Sequence, residues 1–354
     1  MQTTPKRPAR QWIFILITVV CLLFALVYVF GSARKNSVLA IDPAVESPLT
    51  LAATSPLRSE NGGVRPTWSL HPQLISINET SSADLGKVEM APLTGGVGPK
   101  TVTGLKCERV YYAADKGICL TREVSYVTAK TTAIIFGSDF RPQAKFSTPG
   151  IPSRARISPD GRRSAFTVFV IGHSYADLEM STATFLLDTA TGVPIANLEE
   201  FAVWRAGALV QAPDFNFWGV TFAHDSNSFY ATLRYGGKAY LVHGDINERK
   251  VEVLRENVEC PSLSPDGKRL VFKKLIARAT WRLTALDLTT FTETPLAEAQ
   301  SIDDQAEWLD NNHVLYGAVD PNPPPWMSIM VVPADGSGQP QVFAAGAVSP
   351  AVVQ

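Results

Sequence analysis

Four aspartates recur in one frame along the chain. Taking Asp266 as reference, Asp160 lies 106 residues before it, Asp225 lies 41 before it and Asp310 lies 44 after it. Carboxylates converging from repeated units are hard oxygen ligands of the kind that hold Ca²⁺. Their neighbours point instead to turns. Asp160 sits in Ser158-Pro159-Asp160-Gly161 and Asp266 in Ser264-Pro265-Asp266-Gly267. In such a tetrapeptide proline pre-sets φ, Asp bonds to its own backbone, and Gly accepts a left-handed exit. Asp225 follows His224 in a degenerate copy, and Asp310 precedes Asn311, which stands at the Gly position as the next most tolerant residue of left-handed geometry. The turn role accounts for all four acids, with a cation held in a central channel as the competing reading.

Other chemistry is sparse. His71, His173, His224, His243 and His313 are scattered without metal-ligand spacing. The run Gly95-Gly96-Val97-Gly98-Pro99-Lys100-Thr101 is a linker, because Pro99 removes an amide that a phosphate cradle needs. No Gly-x-Ser-x-Gly elbow is present, which argues against a serine peptidase. Asp303-Asp304 reads as a solvated charge pair, and Asn78-Glu79-Thr80 matches a glycosylation acceptor. Cys107 and Cys119 flank a hairpin centred near Asp115, which would bring their backbones together. An oxidising compartment then favours a disulfide, with two buried free thiols as the alternative. Cys260 has no evident partner and reads as a small buried hydrophobe. No catalytic residue, metal ligand or cofactor site is expected.

Each aspartate is followed by an apolar strand-like run, and a period of 41 to 44 residues is that of one four-stranded propeller blade. The copy at Asp225 predicts strands over residues 229–235, 238–243 and 250–254, joined by Gly236-Gly237 and a turn over residues 245–249. Comparable strand sets follow at residues 270–296, 183–198, 327–343 and 131–146. Residues 68–98 supply a sixth, degenerate blade, and residues 347–350 are expected to close the ring beside it. The Ser-Pro-Asp-Gly-Lys/Arg hairpin, with the strand-Asp-x-x-x-Gly-strand that follows, resembles the TolB-type six-bladed β-propeller over roughly residues 100–345. That resemblance implies an all-β fold and protein–protein interaction in the cell envelope rather than catalysis.

The N-terminus carries a separate signal. Residues 12–30 hold no charge and follow Lys6, Arg7 and Arg10, with Trp12 and Tyr28 near the two ends. Such a run is long enough to cross a bilayer, and the basic flank places the N-terminus in the cytoplasm. The expected organisation is a basic tail over residues 1–11, a transmembrane helix over 12–30, a stalk over 31–66 and a propeller over 67–354. Cleavage near residues 31–40, giving a secreted protein, is the competing reading, and both export the domain. Beyond residue 33 the chain holds 29 Lys and Arg against 33 Asp and Glu, with no polybasic run, so nucleic acid is excluded as a partner.

Three stretches exceed what blades need: residues 173–180, 199–216 and 320–326. They bring Trp204, Arg205, Phe215, Phe217 and Trp326 into or beside loops. Aromatic and arginine side chains on loops anchor partner recognition, or else pack over the end of the ring as a plug. The expected function is a membrane-anchored, non-catalytic module that binds an envelope or secreted protein or peptide. Two alternatives are a lyase or lactonase using a channel metal, and a sugar-binding ectodomain.

Overall fold

The computed structural model describes residues 72–80, 83–93, 100–125, 129–172, 180–320 and 327–354, and two-residue strands at Leu57–Arg58 and Val64–Arg65. The expected tail and membrane helix lie outside the described residues, as do most of the stalk and Trp326. Among the described residues no helix is long and apolar enough to cross a membrane.

Six sheets, antiparallel but for one added parallel strand in blade 4, form the ring of a six-bladed β-propeller. The innermost strands, in ring order from blade 1, are Ala347–Val353, Arg109–Ala113, Ile151–Ile157, Asn216–Phe222, Glu259–Leu263 and Glu307–Trp308. Blade 1 closes the circle. Its innermost strand comes from the C-terminus and pairs with Gln73–Asn78 from the start of the domain, with Ala347 opposite Asn78 and Val353 opposite Gln73. Closure of this kind ties the end of the chain to the start of the domain and leaves only short inner edges facing the channel.

The strands form because apolar residues occupy both faces of each sheet. Every seam between neighbouring blades holds its own buried cluster. Ile75, Val88, Tyr112 and Phe136 pack between blades 1 and 2, while Ala165, Leu186, Phe217 and Phe229 pack between blades 3 and 4. Val271, Leu283, Val314 and Tyr316 do the same between blades 5 and 6. Both faces of a blade are therefore core, so no clean alternation of apolar and polar residues is visible along the strands.

We call lower the face that carries the repeated turns. In blades 3 and 5 the turns are superimposable in their bonds: Ser158 N–H donates to Arg163 O and Gly161 N–H to Ser158 O, each at 2.8 Å. The same pair links Ser264 to Arg269 and Gly267 to Ser264. Gly161 and Gly267 both have φ of 71°. In blade 4, Ser226 takes that place with φ of 56°. Blade 6 departs from expectation. Its turn is one residue shorter, closing from Leu309 N–H to His313 O, and Asn311 is not left-handed. Asn311 instead accepts Asp266 N–H on its Oδ1 at 3.0 Å, tying blade 6 to blade 5. Ser226 Oγ likewise accepts Asp160 N–H at 3.2 Å, tying blade 4 to blade 3.

Other departures have local causes. Residues 199–216 are no simple loop: after the short 3₁₀ turn Leu198–Glu200, Ala202–Arg205 pairs in parallel with Lys250–Glu256 and Ala208–Val210 pairs with it in turn. Blade 4 thereby has six strands. Asn78 is no exposed glycosylation acceptor, since it is buried and its Nδ2 donates to Glu89 Oε2 at 2.8 Å. Cys107 and Cys119 form a disulfide with Cα atoms 5.5 Å apart. It joins the exit of blade 1 to the second strand of blade 2.

Candidate functional site

Innermost strands decide what faces the central channel. Four of them break register at a comparable level, at Pro152/Arg154, Trp218/Thr221, Glu259/Ser262 and Val348/Ala351. A bulge re-aims the side chains around it. Space is tight at one point: Gly219 has φ of 65°, and a Cβ there would stand 2.6 Å from the Cα of Cys260.

Two cavities open at the ends of the channel, with charged side chains between them. The lower one, about 240 Å³, is lined by Tyr111, Arg156, His224, Glu307, Trp308 and residues of the repeated turns, Pro159 and Pro265 among them. Arg156 and Glu307 are both buried and approach to 3.3 Å. Tyr111 donates its hydroxyl to Glu307 Oε1 at 3.2 Å, and the Arg156 guanidinium lies 4.4 Å from the Tyr111 ring centroid. Arg156 Nη1 donates to the Ala155 carbonyl at 3.2 Å, and Nη2, which faces Glu307, also donates to the Ala306 carbonyl at 2.9 Å. Burial raises the Glu307 carboxyl above its usual range, outweighing Arg156 and the Tyr111 bond. Burial, reinforced by the Glu307 charge, raises the Tyr111 phenol as well.

The upper cavity, about 330 Å³, is lined by Glu79, Arg109, Asp303, Asp304, Val319 and Met327 among others. Asp303 keeps the exposure expected from the sequence, with its side chain 38% accessible. It is ion-paired with Lys273, which is fully buried, and lies 3.6 Å from Arg154. Burial opposes ionisation of Asp303, but Lys273 and Arg154 outweigh it and hold its carboxyl below the usual range. Lys273 also lies over the Trp281 ring at 4.5 Å, and Trp281 Nε1 donates to Glu259 at 2.8 Å.

The upper face is distinguished by its strand ends. Among the described residues, large exposed aliphatic side chains gather where the second strand of a blade turns into the third. Leu85 marks blade 1, Val124 blade 2, Val170 and Ile171 blade 3, Leu275 and Ile276 blade 5, and Val319 and Met327 blade 6. Blade 4 offers an aromatic group there instead. Arg205 Nη1 donates to the Tyr235 hydroxyl at 3.2 Å and lies over the Tyr240 ring at 4.9 Å, while Phe215 meets Tyr235 edge-on at 5.7 Å. Trp204, half-buried, is covered by Lys250 at 5.4 Å.

Of the residues singled out in the sequence, Arg205 and Phe215 both meet Tyr235 at blade 4, while Trp204, on the neighbouring strand position, lies under Lys250 instead. Phe217 does not join them: it is fully buried on the innermost strand, in the seam with blade 3, and cannot touch a partner. Asp160, Gly161, Asp225, Asp266, Gly267, Asp310 and Asn311 lie on the lower face within their turns. Ser264 Oγ donates to Asp266 and, with the Lys268 backbone bond, holds its carboxyl below the usual range. Burial works against ionisation of Asp160, Asp225 and Asp310, yet bonds from Ser158, Ser228 and the Asn312 backbone, with others, lower all three. Among the described residues no group of three or more His, Cys, Asp or Glu side chains is placed to share a metal ion. Arg154, Arg156, Lys273 and Glu307 were not singled out, although a signal exists. Charged residues at period two directly upstream of a repeat turn, as in Arg154-Ala155-Arg156, interrupt an otherwise apolar innermost strand.

No protein-family model matches the chain, and no curated protein matches it in sequence. Solved structures do. TolB from Acinetobacter baumannii superimposes with a TM-score of 0.54 at 15% identity, over 80% of this chain and 66% of that chain. A chain of the nidogen/laminin complex gives 0.51 at 10% identity, over 80% of this chain and 98% of that chain. A puromycin-hydrolyzing peptidase of Mycobacterium tuberculosis gives 0.44 at 12% identity, over 73% of this chain and 42% of that chain. What the first two likenesses support is a fold: the chain is a six-bladed β-propeller similar to that of TolB.

Proposed function

We propose that the domain is a non-catalytic docking module of the extracytoplasmic space, tethered by its N-terminal segment and binding an envelope or secreted protein through its upper face. The observation that carries this reading is the gathering of exposed aliphatic side chains at the upper strand ends of five blades, beside the Arg205 aromatic group of the sixth. Apolar contacts with an aromatic or arginine anchor at their rim are the usual composition of a protein interface. In the channel Arg156 is paired with Glu307 and Lys273 with Asp303.

Affinity capture from envelope extract of the host tests this. The wild-type chain is expected to retain a partner that the combined Arg205→Ala, Leu275→Ser, Ile276→Ser variant releases. A partner retained equally by both chains overturns the assignment of the face. Turnover of a substrate by the purified chain overturns the non-catalytic reading.

A further inference from the structure

We infer that the lower mouth of the channel is a second binding site, for a neutral polyhydroxylated ligand the size of one saccharide unit. The argument begins with charge. Arg156 and Glu307, each with a side chain 9% exposed, are the fixed cation and anion of the cavity, and they are paired with each other at 3.3 Å. An anionic ligand that approached Arg156 would meet Glu307, and a cationic ligand that approached Glu307 would meet Arg156. A neutral ligand carrying both donors and acceptors gains from both.

Hydrogen-bonding geometry points the same way. The guanidinium offers donors, the carboxylate accepts, and the Tyr111 hydroxyl lies against that carboxylate at 3.2 Å. Donor and acceptor thus stand side by side, as they do on a vicinal diol. His224 and Gln354 add groups of both kinds at the rim. These groups are held in place before any ligand arrives, because Arg156 is braced by two carbonyls and by the Tyr111 ring. Preorganised polar groups lose little freedom on binding. Beside Thr221, Ser262 and Ser264, the apolar parts of the wall, Tyr111, Trp308, Pro159 and Pro265, suit the C–H face of a sugar ring. At about 240 Å³ the cavity is smaller than the roughly 300–1,000 Å³ of drug-sized sites, which limits the ligand to one ring.

The site is independent of the upper docking face, so the two readings fail separately. Titration of the full-length chain with glucose and N-acetylglucosamine, followed by calorimetry and saturation-transfer NMR, tests it. A single sugar ring is expected to bind with Kd on the order of 1 mM. Glu307→Gln, which keeps the shape but not the paired charge, should weaken binding at least about tenfold, by the loss of one charge-assisted contact. His224→Ala, at an exposed position, should weaken it severalfold without disturbing the fold and keeps the test open if the Glu307 variant misfolds. Leu275→Ser with Ile276→Ser should leave it unchanged. Absence of saturation with both sugars overturns the site. So does binding that neither Glu307→Gln nor His224→Ala alters. Tighter binding of glucuronate than of glucose overturns its neutral character.

Discussion

The two faces of the propeller end their strands in opposite ways. On the lower face the first turn of each of blades 3, 4, 5 and 6 is closed by side-chain oxygens bonding to backbone amides, and neighbouring turns are bonded to each other through Ser226 and Asn311. On the upper face the strand ends carry Val124, Ile171, Ile276 and Val319 outward, although Asn257 bonds both backbone groups of Leu275 and Gln300 reaches the Val319 carbonyl. One face meets the chain's own need for satisfied backbone groups. The other exposes apolar surface, which the proposed docking role would cover. Substitutions on the lower face and in the channel should therefore cost stability, and those on the upper face should cost binding.

The largest effect is expected in the channel. Glu307→Ala leaves Arg156 buried without its partner, and breaking such a pair costs about 3–5 kcal/mol. Denaturant unfolding reads this directly; a loss below about 1 kcal/mol would mean that water enters and screens Arg156. Next comes the seam between blades 1 and 2. Replacing Cys107 and Cys119 together by Ser opens a loop spanning 12 residues, for which chain entropy predicts a loss of about 3 kcal/mol. Reduction of the wild type should lower its melting temperature as the double variant does.

Smaller effects separate the faces most cleanly. Gly161→Ala forces a Cβ at φ of 71° to within 2.9 Å of the Ala114 side chain, and about 1–2 kcal/mol is expected from the left-handed backbone. Ile276→Ser on the upper face should change stability by less than about 0.5 kcal/mol. Equal losses at both positions would erase the distinction between the faces.

Acid should act on the lower face. Asp160, Asp225, Asp266 and Asp310 have folded pKa values below their ordinary one, so the stability they lend is complete above about pH 4 and is lost as pH falls through the folded values. Melting temperature should fall on acidification, less steeply in Asp266→Asn. Glu199 shows the opposite sign. Burial pushes its pKa up to about 8 although Thr184 and Phe217 amides donate to it, so its contribution fades as pH rises from about 4.5 toward 8. The cost of Glu199→Gln should shrink over that range.

Legibility in the sequence followed the range of the interactions. Ser-Pro-Asp-Gly is read locally, because proline, Asp and Gly act within one turn, and its repetition revealed the blades. Blade 6 was misjudged at Asn311 because a one-residue shortening leaves a similar string with different dihedrals. Phe217 was taken with its neighbour Phe215, yet the chain enters the innermost strand at Asn216, and the two rings part. The hairpin Ala202–Arg205 with Ala208–Val210 escaped notice, since its parallel pairing with Lys250–Glu256 depends on residues about fifty positions away.

By itself the sequence determined the turn chemistry, the period of the repeat and the approach of Cys107 to Cys119. Each follows from contacts within a dozen residues or from simple recurrence. Tertiary structure alone decided which charges meet. Arg156 and Glu307 stand 151 residues apart in the chain and 3.3 Å apart in the channel. Ring closure brings them together, because the innermost strands of separate blades share one axis only when the last strand pairs with the first.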